Sequence, residues 1–131
     1  MASLNDTIRK IVDDNNFATL ATVNADGGPQ SSVVWIARDG DDLLISTVVG
    51  RLKERNLRRD PRASVSVYDR EDPYSYFEVR GSATMTEEGG FKLINDLSQR
   101  YTGKDYTGDE GTDNVRVIVR ITPEKVVGYA A

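Results

Sequence analysis

The chain has 131 residues, contains neither cysteine nor histidine, and carries 17 basic and 21 acidic side chains for a net charge of −4. This length predicts one domain over residues 1–131 that can bury a hydrophobic core. The missing residue types exclude disulfides, a histidine-ligated haem and thiolate or imidazole metal ligands, so no metal site is expected. The acidic balance disfavours nucleic-acid partners, and the lack of a targeting or apolar spanning segment predicts a cytoplasmic protein without membrane partners.

The first part of the chain predicts a helix followed by three antiparallel strands. Asn5 or Asp6 can cap the helix. Residues 17–23 form a strand with apolar residues on both faces, and the turn-forming residues that follow predict a hairpin to a second strand over 30–38. After another tight turn, a third strand spans residues 43–47.

A basic helical segment follows the third strand. It reads GRLKERNLRRDPR from Gly50 to Arg62. Its last twelve residues hold six cations and two acids, so they carry +4 while the rest of the chain carries −8. Clustered basic side chains at a helix N-terminus hold anions such as phosphate. The alternative is a solvated face, on which the i,i+4 spacing of Arg51, Arg55 and Arg59 costs stability through like-charge repulsion. A weaker hypothesis is a nucleic-acid-binding helix.

The second part of the chain predicts three more strands and one helix. Alternating apolar residues indicate strands over 63–68, 74–85 and 115–121, with a bulge at Gly81. The helix between the last two strands is expected to begin near Thr86.

The same helix is expected to place Phe91 among its core residues. A loop over Gly103–Asn114 follows it, and the acidic part from Lys104 to Asp113 is expected to be a solvated connection or, alternatively, a lid. Six short strands joined by tight turns predict a small closed or split barrel, because closure removes exposed sheet edges.

Three stretches resemble the split β-barrel flavin and deazaflavin oxidoreductase superfamily, which includes pyridoxamine 5′-phosphate oxidase and the actinobacterial coenzyme F420-dependent reductases. They are FATLATVNADGGPQSSVVW, DGDDLLISTVVGRLKERNLRRDPRASVSVYD and YFEVRGSATMTEE. The segment GRLKERNLRRDPR is the most specific, and its form is closest to the short deazaflavin-binding branch. The resemblance implies a mainly β, six-stranded antiparallel split barrel with a few short helices, and a homodimer with the cofactor at the subunit interface.

The resemblance also implies three groups of cofactor-binding residues. The phosphate and ribityl chain would be held by Ser46, Thr47, Arg51, Lys53, Arg55 and Asn56. The ring system would be lined by Ser31, Ser32, Val34 and Trp35, although Trp35 fits core or dimer packing equally well. The candidates for contribution by a partner subunit are Tyr68, Tyr76 and Glu78.

The implied reaction is hydride transfer between C5 of reduced F420 and an electron-poor double bond, as in an enone or imine, because the cofactor itself carries such chemistry. Two alternatives stay open: an FMN-binding oxidoreductase of the same fold, and a non-catalytic cofactor-binding or carrier protein. No catalytic residue is assigned. The proton donor would be ordered water or a tyrosine, with Tyr68, Tyr76, Tyr101, Tyr106 and Tyr129 as candidates.

Overall fold

The structure is a computed structural model that describes residues 2–131. Its helices and strands are α1 (Asp6–Asp13), β1 (Ala18–Val23), β2 (Pro29–Val34), β3 (Ala37–Asp39), β4 (Asp42–Val48), α2 (Leu52–Arg59), β5 (Arg62–Asp69), β6 (Asp72–Thr86), α3 (Gly90–Thr102) and β7 (Arg116–Val127). The strands form one antiparallel sheet in the order β2-β1-β5-β6-β7-β4-β3. This confirms the predicted mainly β split-barrel class, with seven strands in the described range in place of six. No helix in that range is both long and apolar enough to cross a bilayer.

The additional strand arises because the predicted second strand is interrupted at Trp35 and Ile36. β2 ends just before these two residues at one edge of the sheet, and β3 begins just after them at the opposite edge. No turn-forming residue marks the interruption in the sequence. Ile36 is fully buried at this point, and its N–H donates to the Tyr101 hydroxyl. The two residues therefore bring the sheet edges together and leave a split between β2 and β4.

The helix α1 closes one end of the barrel. Asn5 is its N-cap and accepts a hydrogen bond from the Ile8 N–H at 2.8 Å, which confirms one of the two predicted caps. The Asn5 side-chain amide also donates to the Ala130 carbonyl at 2.8 Å, so the cap joins the two ends of the described chain. The apolar side of α1 packs into a core whose large, fully buried side chains include Leu20, Ile45, Val65, Phe77 and Ile121.

The helix α3 begins later than predicted. Thr86 stays in β6, and its hydroxyl accepts a hydrogen bond from the Glu88 N–H in a turn that precedes the helix. Gly90 then packs so closely that a Cβ there would overlap the Arg116 carbonyl. This contact turns Phe91 outward, where it is 61% exposed, so its predicted place in the core is wrong. The buried side of α3 consists of Gly90, Leu93, Ile94, Leu97 and Ser98.

The predicted bulge at Gly81 is confirmed. The register between β6 and β7 shifts between Arg80 and Gly81, and a Cβ on Gly81 would overlap the Thr122 carbonyl oxygen. A bulge of this kind increases the local twist of the strand. β6 pairs with β5 along its first part and with β7 along its last part.

We expect Gly81→Ala to lower the free energy of unfolding by about 1–3 kcal/mol, because the added methyl group displaces packed backbone. Urea denaturation measures the loss. Thr84→Ala, an exposed change on the same strand, is the control and should alter stability by less than about 1 kcal/mol. Equal stability losses in the two variants would contradict the close approach at Gly81.

Candidate functional site

A cleft of about 300 Å³ opens at the split of the barrel. β3 pairs with β4 only as far as Leu44, so residues 45–48 of β4 have no strand neighbour on the β3 side. Five of the sequence-predicted residues line this cleft: Val34, Trp35, Ser46, Arg51 and Lys53. The structure therefore brings together the end of β2, the end of β4 and the start of α2.

Six further residues line the cleft: Phe17, Val33, Ile94, Leu97, Tyr106 and Arg116. The sequence analysis named one of them, Tyr106, only as a candidate proton donor and missed the other five. The apolar members gave no separate signal, because a helix or strand residue with core periodicity looks the same whether it faces a core or a cleft. Tyr106 lies in the loop that was read as a solvated connection or a lid, and the structure makes this loop a wall of the cleft.

The turn between β4 and α2 is held in shape by Glu54. Gly50 adopts a φ of +95°, and its N–H donates to the Glu54 carboxylate at 2.7 Å. Glu54 is only 2% exposed and also forms an ion pair with Arg58. The Gly50 hydrogen bond is the main cause that lowers the pKa of Glu54, so this carboxylate stays ionised and tied to the turn. The turn thereby presents Arg51 and Lys53 to the cleft.

The six cations of the basic segment divide into two groups. Arg58 pairs with Glu54, Arg62 pairs with Asp60, and Arg59 donates to the Val23 carbonyl. The other group consists of Arg51, Lys53 and Arg55, for which residues 2–131 supply neither an ion pair nor a hydrogen-bond acceptor of the side chain. Arg51 is the N-cap residue of α2 and not part of the helix face. Two of the six cations are thus neutralised by carboxylates and a third is hydrogen-bonded to a carbonyl, whereas Arg51 and Lys53 of the second group face the cleft.

Lys53 is more buried than the other two cations of this group, Arg51 and Arg55, which are exposed. It is partly buried, and burial lowers its pKa below the ordinary value of 10.5, with the positive charge of Arg51 as a second cause. A partly desolvated ammonium beside a like charge is stabilised by a bound anion. The site therefore has the electrostatics of a phosphate-binding position.

The opposite wall of the cleft is organised by Arg116, which is buried. Its Nε and Nη2 atoms donate to the two carboxylate oxygens of Asp109 at 2.8 and 3.1 Å. Nη2 also donates to the Tyr106 hydroxyl at 2.7 Å, and the guanidinium lies 4.9 Å from the centre of the Tyr106 ring. Nη1 is 3.4 Å from the Ser46 hydroxyl oxygen. These contacts fasten the loop to β7, and the Arg116 hydrogen bond lowers the pKa of Asp109.

Trp35 both packs within the chain and lines the cleft. Its ring stacks on Tyr101 with centroids 5.3 Å apart and planes 11° apart. The Tyr101 hydroxyl donates to the Asn16 carbonyl at 2.8 Å while it accepts from the Ile36 N–H, so the ring beneath Trp35 is fixed. The two alternative roles considered for Trp35 are therefore compatible in one position.

Two predicted phosphate ligands lie away from the cleft. Asn56 is 1% exposed, and its amide donates to Thr22 and Asn24, which joins α2 to the β1–β2 hairpin. Thr47 is fully buried, and its hydroxyl has no hydrogen-bond partner within residues 2–131. In the free chain these two positions support the site and do not face it.

The remaining predicted residues also lie outside the cleft of their own chain. Ser31 and Arg55 are exposed, and the Ser32 hydroxyl is buried without a partner in the described residues. Tyr68 and Tyr76 line a separate surface depression together with Thr19, Ser66, Val67 and Pro73. We call this depression the tyrosine face.

Comparison with known proteins gives the same fold and family. The pyridoxamine 5′-phosphate oxidase family profile matches residues 4–129. The solved structure of an F420 reductase is 30% identical and covers 91% of this chain and 94% of its own, with a TM-score of 0.81. A conserved hypothetical protein from Mycobacterium tuberculosis is 28% identical, covers 96% of this chain and 84% of its own, and has a TM-score of 0.77.

A pyridoxamine 5′-phosphate oxidase-related, FMN-binding protein from Nostoc punctiforme is 15% identical, covers 96% of this chain and 84% of its own, and has a TM-score of 0.70. At that identity only the fold is shown to be shared. Because the family profile spans nearly the whole sequence, the chain belongs to the pyridoxamine 5′-phosphate oxidase family, and the resemblance seen in the sequence is confirmed. A flavin or deazaflavin cofactor is consistent with these relatives.

We expect Asp109→Asn to lower the free energy of unfolding by about 1.5–3 kcal/mol, the scale of a hydrogen bond to a charged group. The folded-state pKa of Asp109 lies below its ordinary value of 3.8, so the ion pair stabilises fully above that value and is lost as the pH falls through the lowered pKa. The difference between wild type and variant should therefore shrink in acid, as measured by urea denaturation at about pH 7 and about pH 3.

The control for this variant is Asp113→Asn, which removes the same charge from an exposed position of the same loop. It should leave stability nearly unchanged at both pH values. A loss in Asp109→Asn that does not diminish in acid would show that the ion pair with Arg116 is not its source.

Proposed function

We propose that this protein is an F420-binding oxidoreductase that transfers hydride between the reduced deazaflavin and a small electron-poor substrate, such as an enone or imine. The observation that carries the proposal is the partly buried, unneutralised Lys53 beside Arg51 in a cleft with an aromatic wall. The similarity to an F420 reductase at 30% identity supports the deazaflavin over FMN. In this proposal the protein acts in the cytoplasm on a small molecule, without nucleic-acid or membrane partners.

The residues of the cleft fit the two ends of such a cofactor. Arg51 offers a forked pair of donors and Lys53 a compact charge, which together suit a phosphate group. Trp35 and Phe17 offer aromatic surface to a flat ring, and Trp35 is already held by its stacking on Tyr101. When bound, the deazaflavin supplies hydride chemistry at C5. The chain binds it, orients its ring and excludes water from the cleft.

FMN is the alternative cofactor, because it presents the same phosphate to the same cations and a relative of the same fold binds it. A non-catalytic carrier of either cofactor is the other alternative. Titration of F420 and FMN into the apoprotein, followed by fluorescence, separates the cofactors. Turnover of a panel of enones and imines with the reduced cofactor then separates an enzyme from a carrier.

We expect Lys53→Ala to weaken F420 binding by about 1.5–3 kcal/mol, or roughly tenfold or more in the dissociation constant, because a charge-assisted hydrogen bond is lost. Fluorescence titration measures the change. Lys92→Ala is the matched control, since Lys92 is an exposed lysine of α3 that pairs only with Asp96. Equal affinities in Lys53→Ala and wild type would remove the basis of the proposed phosphate site.

We also propose that the tyrosine face is covered by a second copy of the chain, which would bring Tyr68 and Tyr76 of that copy to the cleft. Val33 lines the cleft and is 70% exposed. It is paired across the sheet with Thr19, which is paired in turn with Ser66, so the tyrosine face begins beside the cleft. A twofold dimer places the same surface of both copies in contact. In a dimer formed through the tyrosine face, each copy would therefore lie beside the cleft of the other.

Val33→Glu should therefore convert a dimer into a monomer and weaken cofactor binding, because a charge is placed in the proposed apolar contact. Sedimentation equilibrium with and without F420 measures the assembly. Phe91→Glu, which changes an exposed apolar residue on α3, should leave the dimer intact. A wild-type protein that is monomeric and still binds F420 would exclude the dimer.

A further inference from the structure

Two hydroxyl groups of the cleft are arranged around one buried guanidinium. Arg116 donates to the Tyr106 hydroxyl at 2.7 Å, and its Nη1 lies 3.4 Å from the Ser46 hydroxyl oxygen. A hydroxyl has one proton to donate and two lone pairs that accept. Because the guanidinium can only donate, the Tyr106 hydroxyl uses a lone pair in this contact and keeps its own O–H for another acceptor.

No residue in the described part of the chain accepts that proton. Of the six tyrosines, Tyr106 alone lines the cleft, and its hydroxyl acts only as an acceptor in the hydrogen bonds within residues 2–131. The Tyr101 hydroxyl, in contrast, already donates to the Asn16 carbonyl. Two of the others, Tyr68 and Tyr76, lie on the tyrosine face. The structure thus distinguishes among tyrosines that the sequence left equivalent.

The position of the Tyr106 hydroxyl is fixed from several sides. The guanidinium that donates to it is itself held by both carboxylate oxygens of Asp109 and lies over the Tyr106 ring. Gly108 packs against the hydroxyl so closely that a Cβ there would overlap it. A donor held in this way needs little reorganisation when an acceptor arrives.

We propose that Tyr106 donates a hydrogen bond, and then its proton, to the carbonyl oxygen of an α,β-unsaturated carbonyl substrate, and that Arg116 is the residue that positions it. This inference rests on the proposed function and adds to it the group that the substrate must present and the residue that recognises it. The Ser46 hydroxyl is the second candidate donor to the same oxygen.

With hydride supplied to the substrate's β-carbon by the reduced cofactor, the C=C pair would shift to join the α-carbon and the carbonyl carbon, and the carbonyl pair would move onto oxygen. That oxygen takes the Tyr106 proton to give an enol, which tautomerises to the saturated carbonyl compound. The phenolate left on Tyr106 accepts the hydrogen bond from Arg116 Nη2, which stabilises it until water returns a proton.

The test uses the carbonyl stretching frequency of 2-cyclohexenone labelled with ¹³C at its carbonyl carbon. Infrared difference spectra are recorded on protein loaded with oxidised F420, which cannot donate hydride, and on protein without cofactor. In the wild type the frequency should fall below its value in water, because a fixed donor polarises the carbonyl more than solvent does. Tyr106→Phe should abolish this shift and lower kcat about 100-fold or more with reduced F420.

Tyr74→Phe is the matched control, because Tyr74 is 82% exposed and lies outside the cleft. It should preserve the infrared shift. Arg116→Lys keeps the charge but not the fork, so the shift should be smaller; an unchanged shift would exclude the positioning role. Should that variant not fold, Asp109→Asn, which releases the guanidinium from its ion pair, should broaden the carbonyl band, and an unbroadened band would exclude the role equally.

The inference and the proposed function fail in different ways. If neither F420 nor FMN binds the wild type, the proposed function is excluded, while the infrared shift of the cofactor-free protein still tests Tyr106. If F420 binds equally well to wild type and Tyr106→Phe, a shift lost only in the variant supports the inference. A wild-type shift that survives in Tyr106→Phe, or no shift in the wild type, overturns it.

Discussion

The arrangement of the site depends on one hydrogen bond, from the Gly50 N–H to the buried Glu54 carboxylate. This bond fixes the turn between β4 and α2 and holds the Glu54 carboxylate on the Gly50 N–H. The turn then presents Arg51 and Lys53, neither of which has an ion-pair partner within residues 2–131. Two neighbouring cations without an ion-pair partner repel each other, and a bound anion offsets that repulsion.

The basic side chains on the two walls of the cleft differ in whether a carboxylate neutralises them. On one wall Arg116 is neutralised by Asp109, so its guanidinium serves the chain by fixing a loop and orienting hydroxyl groups. On the other wall residues 2–131 supply no such partner for Lys53, and burial lowers the pKa of its ammonium. An external anion is therefore expected at Lys53 and not at Arg116. In the proposed function, this division separates the end that binds the cofactor from the end that receives the substrate.

Much of the fold followed from local patterns, because alternation, turn residues and the Asn5 cap act within a few residues of each other. The bulge at Gly81 was predictable for the same reason. The break at Trp35 and Ile36 was not, since it depends on the Tyr101 hydroxyl, which lies 65 residues away in the sequence. The basic segment predicted that Arg51 and Lys53 lie at the site, and both line the cleft, but the distinction between Lys53 and Asn56 depends on which side of α2 faces the split. Nothing in the sequence pointed to Arg116 or distinguished Tyr106 from the other candidate tyrosines, because the contact between these two residues joins a loop to a strand.

The central claim is that the ammonium of Lys53 is left uncompensated by the chain and is neutralised by the phosphate of a bound cofactor. The most direct measurement is the pKa of Lys53, followed by NMR at its Nζ atom with and without saturating F420. The account predicts a pKa below 10.5 in the free protein, caused by burial and by Arg51, and a clear rise when the cofactor binds. A pKa that stays unchanged although F420 is bound would contradict it.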